Sequence, residues 1–518
     1  MSTEKKTFLK STGRFSIATI ISRIMGLLRE VSFAAVFGAA SSMDAFVAAF
    51  RIPNLLRDLF AEGALSAAYV PVFTEKLKKE GARKAFLITS SVFSIMLVVL
   101  GLIVILGILL APYYVKYYVS GFGDDASQMA LTTRLTQIMF PFILLIAFAA
   151  VSMGTLNSLG RFGIPALAPA LFNLVMIISA LYLTRFFNPP VLGLGFGAVI
   201  GGGGQFIIQI PQLLKNGYRY EFRLDFKNES VRKIFKLMLP AALGVAAWQI
   251  NVVVATIIAS YLESGSISSL YYALRLMHLP LGVFGVALAT VSLPEISALV
   301  ASKDLAGTAS AQRFSSRMTI FLLLPSAAFL MGGAEAIVSA VYQRGSFSWD
   351  DTVRVAQALR AYAIGLVFFG LVRVTAQVFY AFKDTGTPVK ISFLAVAVNI
   401  VLSLIFIRPF GFAGLALATS ISAIVNFSLL SFYSHRKAPP PDSFGLLRYF
   451  LRILMVSFVS GLIALLVSRS ILADGAAVAF SRAVLATVIS GAAAGAIYFI
   501  ICGFLKIDEL KQIKSIFK

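Results

Sequence analysis

The sequence predicts an all-α integral membrane protein with about fourteen transmembrane helices. Of its 518 residues, 58% are hydrophobic and 13% are charged, whereas an average soluble domain has roughly 45–50% apolar and about 25% charged residues. The apolar residues fall in runs close to the roughly 20 residues that cross the hydrocarbon core of a bilayer. We place the spans at approximately 15–38, 43–72, 85–112, 131–155, 163–184, 191–214, 234–262, 271–298, 314–341, 355–381, 388–407, 411–434, 447–469 and 478–504.

The distribution of basic residues predicts the orientation of these spans. The net charge is +22, and Lys and Arg collect in alternate connections, at the N-terminus, at 76–84, at 215–233, at 435–437 and in the tail from 506 onward. Basic loops are retained on the cytoplasmic side of the membrane. The sequence therefore predicts that both termini are cytoplasmic. The basic segments are short and separated by apolar runs, so no nucleic acid partner is predicted.

The two halves of the chain resemble each other at a shift of about 224 residues. Residues 50–53 correspond to 274–277, and 163–165 correspond to 386–388. Six spans in each half give the halves the same orientation, as in two-lobed secondary transporters whose substrate site lies between the lobes near the midplane. The predicted domains are an N-lobe at 1–224 (spans 1–6), a pseudo-symmetric C-lobe at 225–440 (spans 7–12), and a C-terminal helix pair with a basic tail at 441–518 (spans 13–14).

Charged residues inside spans are functional candidates, because a charge at the bilayer centre costs roughly 2.5–3.5 kcal/mol or more. Arg23 and Arg29 lie in the first span, and Arg275 and Arg373 lie in the eighth and tenth. In the eighth span, Tyr271, Arg275 and His278 share one helical face. The second span has a polar face made of Asp44, Arg51, Asn54, Arg57 and Asp58, with Glu62 four residues further on.

Arginines that converge on a water-filled cavity would select an anionic substrate, since guanidinium groups fit phosphate and pyrophosphate oxygens. For Arg57, Asp58 and Glu62 the alternative is local ion pairing that only orients helices. No phosphate-binding loop G-x-x-x-x-G-K-[ST] occurs, so ATP is not the direct energy source. The Gly201–Gly204 run in an apolar span predicts helix packing or flexibility. One cysteine and two histidines leave no basis for predicting a metal, a cofactor or catalytic residues, and the chain is predicted not to be an enzyme.

Several motifs resemble the MurJ/MviN family. They are S-R-I-M-G-L-L-R-E at 22–30, R-I-P-N-L-L-R at 51–57, F-A-E-G-A at 60–64, Y-Y-A-L-R-L-M at 271–277 and D-T-G-T-P-V at 384–389. Members of this family are lipid II flippases of the multidrug/oligosaccharidyl-lipid/polysaccharide exporter superfamily. The resemblance extends over essentially the whole chain.

The resemblance implies two lobes in a V, an alternating-access cycle, and a groove at the last helix pair for a polyprenyl tail. It implies transport of lipid II, the undecaprenyl-pyrophosphate-linked peptidoglycan precursor, from the inner to the outer leaflet of a bacterial cytoplasmic membrane. It also implies that Arg23, Arg29, Arg57 and Arg275 line the cavity. Asp44 and Glu62 would support them. Together with Arg51 and Asn54 of the second span, these six residues form the candidate substrate-binding set.

Three alternatives stay open. The chain could export another polyprenyl-linked oligosaccharide or an amphipathic drug, or it could be a scaffold that binds cell-wall synthesis enzymes through its basic loops without transporting anything. An integral membrane transferase is disfavoured, because no D-D-x-x-D cluster occurs. Two departures from the family pattern, Asp58 and His278, predict a different charge balance in the cavity. The coupling ion is left open, and the predicted partners are lipid II and membrane lipids.

Overall fold

The computed structural model describes residues 3–58, 64–123, 125–439, 444–472 and 479–516. In these ranges the chain forms α-helices joined by short turns, with no β-strand. The prediction of an all-α protein is confirmed. The contacts divide the chain into two compact units, a first unit at Met1–Ser264 and a second unit at Gly265–Lys518.

The first unit contains nine α-helices in its described ranges. They are α1 (Thr3–Phe37), α2 (Ser41–Arg57), α3 (Ala64–Tyr118), α4 (Ala126–Met139), α5 (Phe142–Ser158), α6 (Gly163–Leu181), α7 (Leu192–Ile207), α8 (Ile210–Lys215) and α9 (Glu229–Ser260). The second unit's described ranges contain α10 (Ser266–Pro280), α11 (Val286–Ala301), α12 (Leu305–Gly332), α13 (Ala334–Tyr342), α14 (Trp349–Ala381), α15 (Gly386–Lys437), α16 (Gly445–Leu472), α17 (Phe480–Phe504) and α18 (Asp508–Ile516).

Ten helical segments of the described chain are long and apolar enough to cross a membrane. Two of them are far longer than one crossing requires, Ala68–Tyr118 with 51 residues and Gly386–Lys437 with 52. Each is broken at a glycine that leaves the helical conformation, Gly81 at φ 82° and Gly411 at φ 54°. The multi-pass architecture is confirmed, whereas the count of fourteen spans stays a prediction.

Side-chain caps fix where several helices begin. Asp125 accepts hydrogen bonds from two backbone N–H groups of α4, and Asn228 does the same for α9. Asp304 caps α12, and Ser348 forms a capping box with Asp351 at the start of α14. Each cap satisfies N–H groups that the helix itself cannot bond, typically contributing about 1 kcal/mol.

Close packing of small residues builds the core of the first unit. The Tyr69 hydroxyl lies 2.7 Å from both Thr89 Oγ1 and Thr155 Oγ1, which ties the two halves of α3 to α5. A Cβ on Gly201 would lie 2.8 Å from the ring of Phe172 on α6. A Cβ on Gly202 would lie 2.7 Å from the ring of Phe142. Gly201 and Gly202 therefore permit close helix packing, one of the two roles expected for this run beside flexibility.

The long helix α9 packs with the first unit. It contacts α2 and α3, with Lys233 Nζ 2.9 Å from Glu75 Oε2 near its start. Near its end, the Ser260 hydroxyl accepts a hydrogen bond of 3.1 Å from the N–H of Gly121. The lobes predicted from the repeat are defined by symmetry rather than by contacts, so their boundaries stay a prediction.

Within the second unit, glycines allow two helix pairs to approach closely. On α14, Gly365 faces Ser420 of α15, whose hydroxyl donates a 2.7 Å hydrogen bond to the Ala361 carbonyl. A Cβ on Gly332 of α12 would lie 2.1 Å from the carbonyl oxygen of Gly461 on α16. Small residues permit this kind of backbone approach between membrane helices.

Candidate functional site

Arg29 forms a buried polar contact between α1 and α6. Its guanidinium pairs with the neighbouring Glu30 and donates a 3.0 Å hydrogen bond to Asn173 Oδ1. The Asn173 amide in turn donates to the Ser22 carbonyl at 3.2 Å. The Glu30 side chain is only 4% exposed. A carboxylate so deeply buried is tolerated because the Arg29 guanidinium compensates its charge.

Arg57 and Asp58 form a second polar group, at the end of α2. Arg57 Nε and Nη2 lie 3.1 and 2.8 Å from Asp58 Oδ1, and Gln249 of α9 donates a 2.6 Å hydrogen bond to Asp58 Oδ2. The local ion pairing that the sequence left open is therefore present here. Glu62, the third charged residue of this group, lies outside the described residues.

The remaining candidates on α2 lie at successive levels of the helix. Asp44 is buried in its first turn, where the helix dipole favours a negative charge. Arg51 is partly buried and interacts electrostatically with Tyr118 of α3. Asn54 is also partly buried, and its carbonyl accepts the N–H of Asp58. Seven residues separate Asp44 from Arg51, or about 10 Å along a helix. The polar side chains of α2 are therefore spread along the helix axis rather than gathered at one point.

Arg23 differs from Arg29 although both belong to α1. Its side chain is exposed, whereas Arg29 is only 15% exposed. Six residues separate them, which corresponds to about 9 Å along the helix axis. Of the two, Arg23 is the more accessible to an anion.

In the second unit, Arg275 belongs to a basic cluster that includes Tyr271, His278 and Arg373. The guanidinium of Arg275 lies over the Tyr271 ring, 4.9 Å from its centroid, and Nη2 is 3.4 Å from the Tyr271 hydroxyl. His278 interacts electrostatically with both Arg275 and Arg373, since α10 packs against α14. Arg275 and Arg373 are exposed. The cluster therefore presents two positive charges on helices of the membrane region.

An apolar groove of about 560 Å³ lies in the second unit between α12, α14 and α16. Leu324, Phe368 and Phe458 contribute to its walls, and Arg360 and Arg469 are its charged members. The resemblance implies a groove at the last helix pair; this groove has one wall from that pair, α16, and its other walls from α12 and α14. Its size and apolar lining fit a lipid chain.

Two residues became part of the site only through the structure. Asn173 was not singled out from the sequence, although an asparagine within an apolar span is a usable signal. Gln249 carries a similar signal, and its contact with Asp58 joins α9 to α2. Within the described ranges, no group of three His, Cys, Asp or Glu side chains is placed to hold a metal ion.

Comparison with known proteins identifies the family. A sequence model described as lipid II flippase MurJ matches residues 33–485. The chain belongs to the lipid II flippase MurJ family. It is 38% identical over 435 residues to a "Probable lipid II flippase MurJ" of Vibrio cholerae serotype O1, covering 83% of each chain. MurJ family membership and the apolar helices make it a multi-pass protein of the bacterial inner membrane.

Solved structures agree with this assignment. A lipid II flippase MurJ in an inward closed conformation matches with a TM-score of 0.75 and 30% identity, covering 94% of this chain and 98% of that one. An inward-facing multidrug resistance MATE family transporter of the MOP superfamily matches with a TM-score of 0.66 and 16% identity, covering 82% and 98%. The second match concerns the fold alone. The resemblance of the sequence to the MurJ family is confirmed.

Proposed function

We propose that this protein is a lipid II flippase that moves the undecaprenyl-pyrophosphate-linked peptidoglycan precursor from the inner to the outer leaflet by alternating access. Membership of the MurJ family supports it most directly. A flippase makes and breaks no covalent bond, so its side chains have to bind the substrate and to favour one conformation over another. Only contacts that differ between the two states can shift their populations.

The basic cluster of Arg275, His278 and Arg373 is the observation that most supports an anionic substrate. Exposed guanidinium groups in a membrane region are costly unless they meet an anion. A pyrophosphate offers oxygens that a guanidinium can bind through two parallel hydrogen bonds. Arg275 is held by the Tyr271 ring, so part of the entropy cost of ordering it is already met before the substrate arrives.

The first unit supplies a second set of arginines. Arg23 is accessible and would contact the head group directly. Arg51 and Asn54 of the next helix belong to the same proposed set, and the buried Asp44 would act as a supporting polar residue. Arg29 and Arg57 already pair with Glu30 and Asp58. Their role in this proposal is to hold α1 and α2 in place and to exchange partners as the substrate moves. Glu62 belongs to the same proposed set by its position in the sequence.

The apolar groove between α12, α14 and α16 would hold part of the polyprenyl tail. Its lining is almost wholly apolar, so a polyprenyl chain would pack there by van der Waals contact, at no polar cost relative to the surrounding lipid. A head group in a polar site and a tail in an apolar groove would travel together. The protein thus has a basic surface suited to the charged head group and an apolar groove suited to the polyprenyl tail.

We further propose that both termini are cytoplasmic, on the basis of the basic connections. The internal repeat supports an N-lobe at 1–224, a C-lobe at 225–440 and a C-terminal pair at 441–518, and with six spans in each lobe all three would begin on the cytoplasmic side. Membrane lipids surround the apolar helices. The basic loops are the surface on which cell-wall synthesis enzymes would dock.

Cells depleted of their own lipid II flippase test the proposal. Expression of this chain is expected to restore growth, and the purified protein is expected to bind lipid II more strongly than undecaprenol in native mass spectrometry. The Arg275→Ala variant is expected to lose both activities. Equal binding of the two lipids, together with failure to restore growth, would favour the exporter of another substrate.

A further inference from the structure

The connection between α8 and α9 contains residues 218–226, which lie outside the helices and have an alternating sequence. The N–H groups of Glu221 and Arg223, two residues apart, both bond to α3, as they would in an extended chain. In an extended chain, successive side chains point to opposite faces. All apolar side chains of the 218–226 segment therefore share one face and all charged ones share the other. The apolar face consists of Tyr218, Tyr220, Phe222, Leu224 and Phe226, and the charged face consists of Arg219, Glu221, Arg223 and Asp225.

Backbone hydrogen bonds attach the segment to the side of α3. The N–H of Glu221 donates to Ser90 Oγ at 3.3 Å, and the N–H of Arg223 donates to Ser94 Oγ at 2.9 Å. Ser90 and Ser94 are one helical turn apart. The segment therefore advances along α3 toward Leu97, where the exposed apolar surface of α3 begins.

Aromatic packing fixes the start of the segment. The buried Tyr218 ring lies 5.6 Å from the Phe86 ring and 6.1 Å from the Phe93 ring, centroid to centroid. The Tyr220 hydroxyl lies 3.0 Å from Ser94 Oγ. These contacts hold the apolar face in a defined position next to a membrane-spanning helix.

The rest of the apolar face is exposed. Phe222 is 60% exposed and Phe226 is 55% exposed, with Leu224 between them. The exposed surface continues onto α3, where eight large apolar side chains are accessible. They are Leu97, Val98, Val99, Leu102, Ile105, Leu106, Leu109 and Leu110. On a helix that crosses a membrane, such a surface is covered by lipid, so the segment extends a lipid-contacting face.

The charges around the segment match an anionic bilayer surface. Between residues 215 and 233 there are six basic and three acidic side chains. Arg219 and Arg223 are exposed and alternate with the aromatic rings. Long basic side chains of this kind reach from an apolar position to headgroup phosphates, and aromatic rings concentrate at the same depth.

We propose that the 218–226 segment is an interfacial anchor that inserts Phe222, Leu224 and Phe226 into the cytoplasmic leaflet and binds the phosphates of anionic phospholipids through Arg219 and Arg223. A bilayer fits better than a soluble partner, because the apolar face continues onto the lipid-facing surface of α3. The anchor would fix the start of α9 at a defined depth. It is independent of the transported substrate.

The sole cysteine, Cys502, is buried, which allows a fluorescence test on the full chain. In a Cys502→Ser background, Phe222→Cys carries an environment-sensitive fluorophore in vesicles of phosphatidylcholine with phosphatidylglycerol. We expect blue-shifted emission that spin-labelled lipids quench. The matched control, Glu221→Cys on the charged face of the segment, is expected to be quenched by iodide in the buffer. Equal quenching of both positions by iodide would overturn the insertion. It would favour a soluble protein as the partner of the apolar face.

The headgroup part of the proposal has its own test. Arg219→Gln and Arg223→Gln are each expected to lower the preference for phosphatidylglycerol over phosphatidylcholine, measured by native mass spectrometry, about fivefold, because a basic residue near an anionic surface contributes about 1 kcal/mol. Arg83→Gln, an exposed arginine elsewhere in the first unit, is the control. A preference unchanged in both variants would overturn phosphate binding by these arginines.

Discussion

Three candidate site arginines, Arg29 and Arg57 in the first unit and Arg275 in the second, have different surroundings. In the first unit, the structure places a carboxylate against each of two arginines, Glu30 against Arg29 and Asp58 against Arg57. In the second unit, Arg275 lies on an aromatic ring beside His278. An aromatic face attracts a cation without cancelling its charge, whereas a carboxylate neutralises it. Among these candidate site residues, arginine therefore stabilises helix contacts in the first unit, and in the second unit it is the residue that we propose binds the substrate.

The difference predicts that substitution of Arg29 or Arg57 acts mainly on stability and that substitution of Arg275 acts mainly on transport. Removal of one partner from a buried pair leaves the other charge in a medium that solvates it poorly. Removal of an exposed cation leaves no such charge behind. Stability and transport therefore have to be measured separately for each variant.

The largest expected effect is the loss of stability in Arg29→Ala. Breaking a buried ion pair typically costs about 3–5 kcal/mol, because the remaining charge is uncompensated. We expect a loss of this size in the free energy of unfolding in mixed micelles. The double variant Arg29→Ala with Glu30→Gln is expected to recover much of it. If the single and double variants are equally unstable, the pair does not stabilise α1 as described.

Arg275→Ala is expected to reduce flipping about 10- to 100-fold with little change in stability. The loss corresponds to one charge-assisted hydrogen-bonding group, about 1.5–3 kcal/mol. Fluorescent lipid II in proteoliposomes measures the rate. Arg185→Ala is the matched control, because Arg185 also lies over a tyrosine, 5.4 Å from the Tyr182 centroid. Equal rates for the two variants would contradict a substrate contact by Arg275.

Gln249→Leu is expected to lower the free energy of unfolding by about 1 kcal/mol. It removes the 2.6 Å hydrogen bond to Asp58, and the carboxylate, at 24% exposure, is partly solvated by water. In an Asp58→Asn background the same substitution is expected to cost less. Additive effects of the two changes would show that this hydrogen bond does not couple α9 to α2.

The smallest expected effect concerns an ion pair of the second unit outside the basic cluster. Asp384 Oδ2 lies 3.0 Å from Lys437 Nζ. Partial burial opposes its ionisation, but hydrogen bonds from Thr387 and Lys437 outweigh burial and keep the pKa of Asp384 below its usual value. A carboxyl with a lowered pKa stabilises the folded state above the unfolded pKa of about 3.9, and this contribution is lost as the pH falls through the folded value.

Asp384→Asn should therefore lower Tm slightly at neutral pH, and the difference from the parent protein should shrink below about pH 4. Thermal unfolding at several pH values measures it. A difference in Tm that is the same at all pH values would mean that the charge of Asp384 does not stabilise the fold.

Helices, close packing and ion pairs were predictable from the sequence wherever they depend on residues that are close together in the chain. The apolar runs predicted membrane helices, the Gly201–Gly204 run predicted close packing, and Arg57 with Asp58 allowed a local ion pair. In each case the partner lies on the same helix, or the side chain is so small that any neighbour comes close. Helical periodicity and side-chain size are enough for such predictions.

Contacts between distant parts of the chain were not predictable in the same way. Arg29 and Asn173 are 144 positions apart, and Asp58 and Gln249 are 191 apart. Their meeting depends on which helix faces pack together, and spacing along one helix does not contain that information. Asp58 changed in meaning as a result. The sequence offered both a change in cavity charge and a local ion pair with Arg57, and the structure shows that pair together with a hydrogen bond from Gln249, which the sequence did not predict.

The glycine break in α3 has a consequence for how the protein is made. Gly81 has φ 82° and ψ 172°, a conformation that only glycine adopts at low cost. The helical segments on either side of it are joined by this one residue, so a side chain there would strain the connection while the two segments fold in the bilayer. Substitution of Gly81 is therefore expected to reduce the amount of protein that reaches the membrane, before any lipid is transported.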